Sequence, residues 1–233
     1  MMPTWMLEYV GLLLNGLKTT ISILLIASVF GFALAILTAL ARLSRNRLLA
    51  HASLGYTSVI RGTPLLIQIY IFYYGLGSLF AQFPWVRGSI FWPYLRDGYW
   101  YIVFALVLSV GAYVGEVVRG GLMAVPKGEM EAASAFGMTP RQTLLRVRLP
   151  RALRLLLPTL AGESVMLLKS TALASTIAVI DLLGAANVVR AQTFQIYQPL
   201  LLVALIYVCL TFIIEGLFAL GERRGTPLRR SLK

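Results

Sequence analysis

The sequence predicts an all-α polytopic membrane protein with five transmembrane helices, amino terminus outside and carboxyl terminus inside. Three observations carry that prediction. Of 233 residues, 58% are apolar and only 13% charged, too little charge to coat a soluble domain of this length. Several windows run for a full bilayer crossing without an ionisable side chain. The basic residues bracket those windows instead of gathering into a groove-binding patch, so the net charge of +12 points to membrane orientation and not to nucleic acid.

The first span is Thr19–Ala41. It is too long for the apolar core of a signal peptide and has only Lys18 ahead of it among basic residues. Ala39-Leu40-Ala41 mimics a cleavage site, but arginines follow directly, so a retained span is expected. The second span covers 62–86, where Thr63-Pro64 offers an N-cap followed by a first-turn proline. The third, 99–120, includes Glu116 and Arg119, spaced to pair at the interface. It also carries Gly111-x3-Gly115, a close-packing motif. The fourth runs over 158–180, roughly 33 Å at about 1.5 Å per residue, enough to cross. The fifth is 199–220.

Orientation follows from counting Lys and Arg by side. Segments 42–61, 119–154 and 222–233 hold 16, the last including a basic tail at 223–233. The opposite segments hold only Arg87, Arg96 and Arg190. The richer side faces the cytoplasm. Trp85, Trp92, Tyr94, Tyr99 and Trp100 gather around the outer loop, where aromatic rings favour the headgroup level. Five unrepeated spans do not divide into the paired halves of secondary transporters, so a solute pathway forms more readily between two such subunits than within one.

Composition removes other chemistries. His51 is the only histidine and Cys209 the only cysteine, which leaves no metal centre and no disulfide framework. Cys209, inside an apolar run, reads as a buried small hydrophobe. No nucleophile–base pair suggests a catalytic residue.

The cytoplasmic loop 121–154 is punctuated as two helices. Glu129–Phe136 is rich in helix formers, and Gly137 can end it in the left-handed region. Thr139-Pro140-Arg141-Gln142 is a capping box that restarts a helix to Leu149, where Pro150 opposes continuation. Ala132, Ala133 and Ala135 leave the first helix slim, with Met130 and Phe136 at its edge. Two readings fit: a knob for a partner's groove, or an amphipathic loop on lipid with Arg141, Arg146, Arg148, Arg151 and Arg154 snorkelling to headgroups.

Glu131-Ala132-Ala133, then Gly137, Val147 and Leu149-Pro150, resembles the EAA signature of ABC importer permeases, EAA-x3-G-x9-I-x-LP, with Val147 in place of isoleucine. The stretches "GAYVGEVVRGGLMAVPKGEMEAA" and "VIRGTPLLIQIYIFYYG" resemble the polar amino acid uptake branch. "LLKSTALASTIAVIDLL" and "TFQIYQPLLL" are similar to the M-type subunit of histidine, lysine/arginine/ornithine and opine permeases. The resemblance covers residues 15–222 and implies a type I ABC importer permease of a bacterial cytoplasmic membrane. It implies that Glu131, Ala132, Ala133, Phe136 and Gly137 form a coupling helix seated in a separate ATPase. It further implies a second homologous permease subunit, two cytoplasmic ATPase subunits and an external solute-binding protein. The chain has no Gly-x4-Gly-Lys-Ser/Thr loop, so ATP is expected to be the cofactor of the partner and not of this chain.

Ionisable groups inside spans are costly and point to function. Glu163 is the candidate site for a cationic solute, with Ser170 seven residues on along the same face. Lys169, or the hydroxyls of Ser170 and Thr171, could meet a solute carboxylate, although Lys169 lies off the Glu163 face. Gln68 and Tyr73 are candidate lining groups from the second span. The structural alternative is that these groups bond neighbouring helices. Asp181 and Glu215, near span ends, read as anchors or salt-bridge partners. A homodimeric permease for another polar amino acid is the nearest alternative function. An ATP-independent channel or secondary carrier is a more distant one.

Overall fold

The computed structural model describes residues 4–225, and every regular element among them is helical. The main helices are α1 (Thr4–Arg42), α2 (Arg47–Gly62), α3 (Leu65–Gln82), α4 (Gly98–Ala124), α5 (Lys127–Ala135), α6 (Pro140–Ile177), α7 (Leu182–Thr193) and α8 (Tyr197–Gly225), with two one-turn helices, Pro84–Arg87 and Trp92–Leu95, between α3 and α4. Among the described residues α1, α3, α4 and α8 are each long and apolar enough to cross a membrane. The pair α6 and α7, bent by 47° at their junction, supplies a fifth crossing if counted as one. The expected basic tail falls, from residue 226 onward, outside the described residues.

The central packing is α1 against α4. Ile23, Ala27, Gly31, Ala35 and Ala39 recur every four residues on α1, and the four with side chains are fully buried. Small residues let the two backbones approach closely. A Cβ on Gly31 would sit 2.7 Å from the Val110 side chain, one on Gly111 2.6 Å from Leu34, and one on Gly115 2.9 Å from Thr38. The Gly111-x3-Gly115 motif is therefore a packing motif between these two helices. An ionic clamp closes the same pair of helices at one end. Glu116 accepts from Arg119 at 2.7 Å, as the spacing predicts, and also from Arg42 at 2.9 Å.

Segment 42–61, read in the sequence only for its charge, is mostly the helix α2. Its start is capped by Asn46, whose Oδ1 accepts from the Leu48 N–H at 3.0 Å. Its Tyr56 hydroxyl donates to the Leu108 carbonyl of α4 at 2.6 Å. The expected Thr63 cap is not made: Pro64 occupies the cap position of α3, with Thr63 donating back to the Val59 carbonyl at 2.9 Å. Gln68 secures this corner, its Nε2 donating to Ile60 O at 2.7 Å and Thr63 Oγ1 at 2.8 Å.

Pro150 does not end its helix. The ladder widens to a π turn over Leu144–Arg148, where the Leu149 N–H reaches back to the Leu144 carbonyl. That wider turn sits just ahead of Pro150, which has no N–H to donate. The helix passes both Pro150 and Pro158, tightens to 3-10 geometry over Thr171–Ile177, and breaks at Ala178 with φ 60°. The helix that carries the expected fourth span thus begins well before 158 and ends at Ile177. Asp181 anchors the restart, Oδ1 accepting from the Gly184 N–H at 2.9 Å, while the Leu182 N–H donates to Thr20 of α1 at 3.0 Å. Cys209 lies exposed on α8, not buried as expected.

Candidate functional site

Two regions bring the sequence-selected residues together. The first is the helical knob of α5. Its end is a full Schellman motif: Gly137, at φ +75°, donates to the Ser134 carbonyl at 2.9 Å, and Met138 donates to the Ala133 carbonyl at 3.1 Å. The Thr139–Gln142 capping box then closes in both directions, at 2.9 and 3.3 Å. Ala133 is buried against the body, whereas Glu131, Ala132, Phe136 and Gly137 are exposed, Phe136 at 87%. The knob therefore offers a slim, partly apolar outer face while its inner face is fixed.

Two of the five arginines that one reading sends to lipid headgroups bond within the protein. Arg151 of α6 pairs with Glu129 of α5 at 3.3 Å. Arg148, in the π turn, donates from Nε to the Leu122 carbonyl at the end of α4, at 2.9 Å. Arg141, Arg146 and Arg154 remain exposed. The start of α6 is thereby tied to both the knob and the central helix.

The second region is a cavity of about 380 Å³ between α3, α4 and α6. Glu163 and Ser170 both line it, with Ser109 and Tyr113 of α4 and an apolar wall of Leu65, Leu106, Val110, Met166 and Leu167. The Ser170 hydroxyl donates to the Met166 carbonyl at 2.8 Å and keeps its oxygen free to accept. Lys169 is exposed on another face of α6. Thr171 is fully buried, its hydroxyl donating to the Leu168 carbonyl at 2.6 Å. Gln68 is committed to the α2–α3 corner. Tyr73 lies in a separate pocket of about 280 Å³ with Tyr74, Trp92, Arg96 and Tyr101. The structure thus joins Glu163 with Ser170 and sets the other four apart.

Sequence reasoning does not find Arg61, Tyr113 and Ser109. The Arg61 guanidinium lies 5.4 Å over the Tyr113 ring, and the Tyr113 hydroxyl donates to the Arg61 carbonyl at 3.3 Å. Arg61 sits in a segment counted only for its charge, 102 positions from Glu163 by numbering (163 − 61). The cavity therefore has a carboxylate, a neighbouring cation, hydroxyls and an apolar wall, a set suited to a small zwitterionic or cationic solute. Among the described residues no three His, Cys, Asp or Glu lie together as metal ligands.

Comparison with known proteins agrees with this architecture. Residues 16–226 match the family described as "Binding-protein-dependent transport system inner membrane component". The octopine transport system permease protein OccM of Rhizobium radiobacter is 39% identical over 98% of this chain and 92% of its own. The histidine/lysine/arginine/ornithine transport system permease protein HisM of Escherichia coli (strain K12) is 34% identical over 92% and 89%. The crystal structure of an amino acid ABC transporter with histidines superposes with a TM-score of 0.80 at 32% identity, covering 94% of this chain and 96% of that one. These likenesses run nearly end to end, and they bring with them a multi-pass location in the bacterial inner membrane. The chain belongs to the family of inner membrane components of binding-protein-dependent transport systems.

Proposed function

We propose that this chain is the permease subunit of an ATP-driven importer of polar, basic amino acids or opines. The solute pathway forms between it and a second permease subunit. Two cytoplasmic ATPase subunits bind ATP and grip the exposed face of α5, and an external binding protein delivers the solute. The relatives named for octopine and for histidine, lysine, arginine and ornithine support the solute class. The observation that carries the reading is the α5 knob, fixed on its inner face and open on its outer one.

Closure of the ATPases displaces α5, and the Glu129–Arg151 pair passes that displacement to α6. Because α6 also carries Glu163, force at the knob reaches the cavity through a single helix, a rigid-body transition between inward- and outward-facing states. Glu163 receives the cationic end of the solute, with Ser170 and Tyr113 as hydrogen-bonding neighbours. Arg61, stacked over the ring of the cavity-lining Tyr113, meets the solute carboxylate.

The test is uptake into proteoliposomes holding the complete complex. Uptake should require ATP and fall when Gly137→Glu places a charge at the end of the knob. Uptake without ATP, or unaltered by Gly137→Glu, overturns the proposal.

A further inference from the structure

Where α1 turns into α2, that corner and the start of α6 enclose a cleft of about 560 Å³. Its walls are Leu37, Leu40, Leu43, Leu49 and Leu144, and Arg148 lines the same cleft. Arg45, on the turn, and Arg47, the first residue of α2, are both exposed between Leu43 and Leu49. Segment 42–61 contains no Asp or Glu. Two nearby carboxylates are already engaged, Glu116 by Arg42 and Arg119, and Glu129 by Arg151. Arg148 spends only its Nε on the Leu122 carbonyl, and no other described residue accepts from its guanidinium. The cleft is thus leucine-walled, opens beside unneutralised arginines, and lies at the end of α1, where an apolar span gives way to basic sequence.

We propose that this cleft binds one anionic phospholipid, with an acyl chain along the leucines and the phosphate among Arg45, Arg47 and Arg148. Charge complementarity selects this occupant. A basic pocket between helices at the membrane surface recruits anionic headgroups, while the leucine walls supply the apolar lining that a chain requires. The cleft has no aromatic anchor of the kind that dominates protein interfaces. The bound lipid braces the α1–α2 corner against α6 beside the π turn. This inference does not depend on which solute is carried.

The experiment is native mass spectrometry of the purified full chain, equilibrated with equimolar dioleoylphosphatidylglycerol and dioleoylphosphatidylcholine. One phosphatidylglycerol per chain should resist delipidation, favoured over phosphatidylcholine by roughly fivefold for each contributing arginine. Arg45→Gln with Arg47→Gln, both exposed and outside the packing, should erase most of that preference. Ala41 also lines the cleft, and Ala41→Phe, which fills it, should lower retention of both lipids. Glycerophosphoglycerol, which has the phosphate but no chains, should not compete. Equal retention of the two lipids overturns the proposal, as does unchanged retention in the double arginine variant. Full competition by glycerophosphoglycerol would show a bare phosphate site, and a chain dimer in place of bound lipid would show a second copy in the cleft; either overturns it as well.

Discussion

Gly137 offers a clean perturbation, because its φ of +75° is the left-handed region and a Cβ there would meet nothing within 4 Å. Sterics with neighbours therefore play no part, and Gly137→Ala bears the backbone cost alone, about 1–2 kcal/mol. Asn, which tolerates this region, should lose distinctly less. The penalty falls on the two hydrogen bonds that close α5, from Gly137 to Ser134 and from Met138 to Ala133. If local opening controls exchange, a loss of that size speeds exchange of the Met138 amide by roughly five- to thirtyfold. The buried core of α4 lies elsewhere, so the thermal midpoint should barely move. Hydrogen–deuterium exchange with peptide-level resolution over 129–143 reads this directly. Equal protection in wild type, Ala and Asn variants, or a large drop in melting temperature for Ala, would refute the reasoning. Where exchange rises in the Ala variant, ATP-driven uptake should fall in step, since the knob is then less often formed.

Four further outcomes follow from the same geometry. Glu163→Gln should raise KM for a cationic solute roughly tenfold or more, the value of a hydrogen bond to a charged group, while Lys169→Gln leaves KM unchanged in the same uptake assay. Gly115→Val should destabilise the chain by about 1–3 kcal/mol through overpacking against Thr38, visible as a lower melting temperature, whereas Gly55→Ala, with open space at its Cβ, should not. Glu116→Gln leaves Arg42 and Arg119 without their shared carboxylate and should lower the melting temperature more than Arg119→Gln does, because Glu116 bridges both. Asp181→Asn keeps a side-chain acceptor for Gly184 and should be tolerated, while Asp181→Ala loses the cap at about 1 kcal/mol, measured by thermal unfolding.

What is legible in the sequence is what local rules decide. The end of α5 needs only Gly137 and its neighbours, and the capping box needs only Thr139 and Gln142, so both are readable over a few positions. Glu163 and Ser170 share the cavity because helical periodicity alone puts them on one face. What is not legible depends on partners far along the chain. Helix α2 contains Arg47 and Arg61 and so escapes a search for charge-free windows, yet Tyr56 ties it to a carbonyl on α4, 52 residues away. Arg61 and Tyr113 come together by the same long-range packing. Pro150 misleads for a different reason: a proline rule assumes a regular ladder, and the π turn before it removes that assumption. The bonding of Arg148 to Leu122 and of Arg151 to Glu129 is also tertiary, since nothing local distinguishes these two arginines from Arg146 or Arg154.

One consequence follows from the unbroken course of α6 past two prolines. Arg148, at the knob end, and Glu163, in the cavity, stand on one rod about 22 Å apart at about 1.5 Å per residue. A swing of roughly 10° about the π turn would carry the carboxylate about 4 Å by that same geometry, the width of a hydrogen-bond shell. A small nudge at the knob end is thereby magnified at the cavity that Glu163 lines.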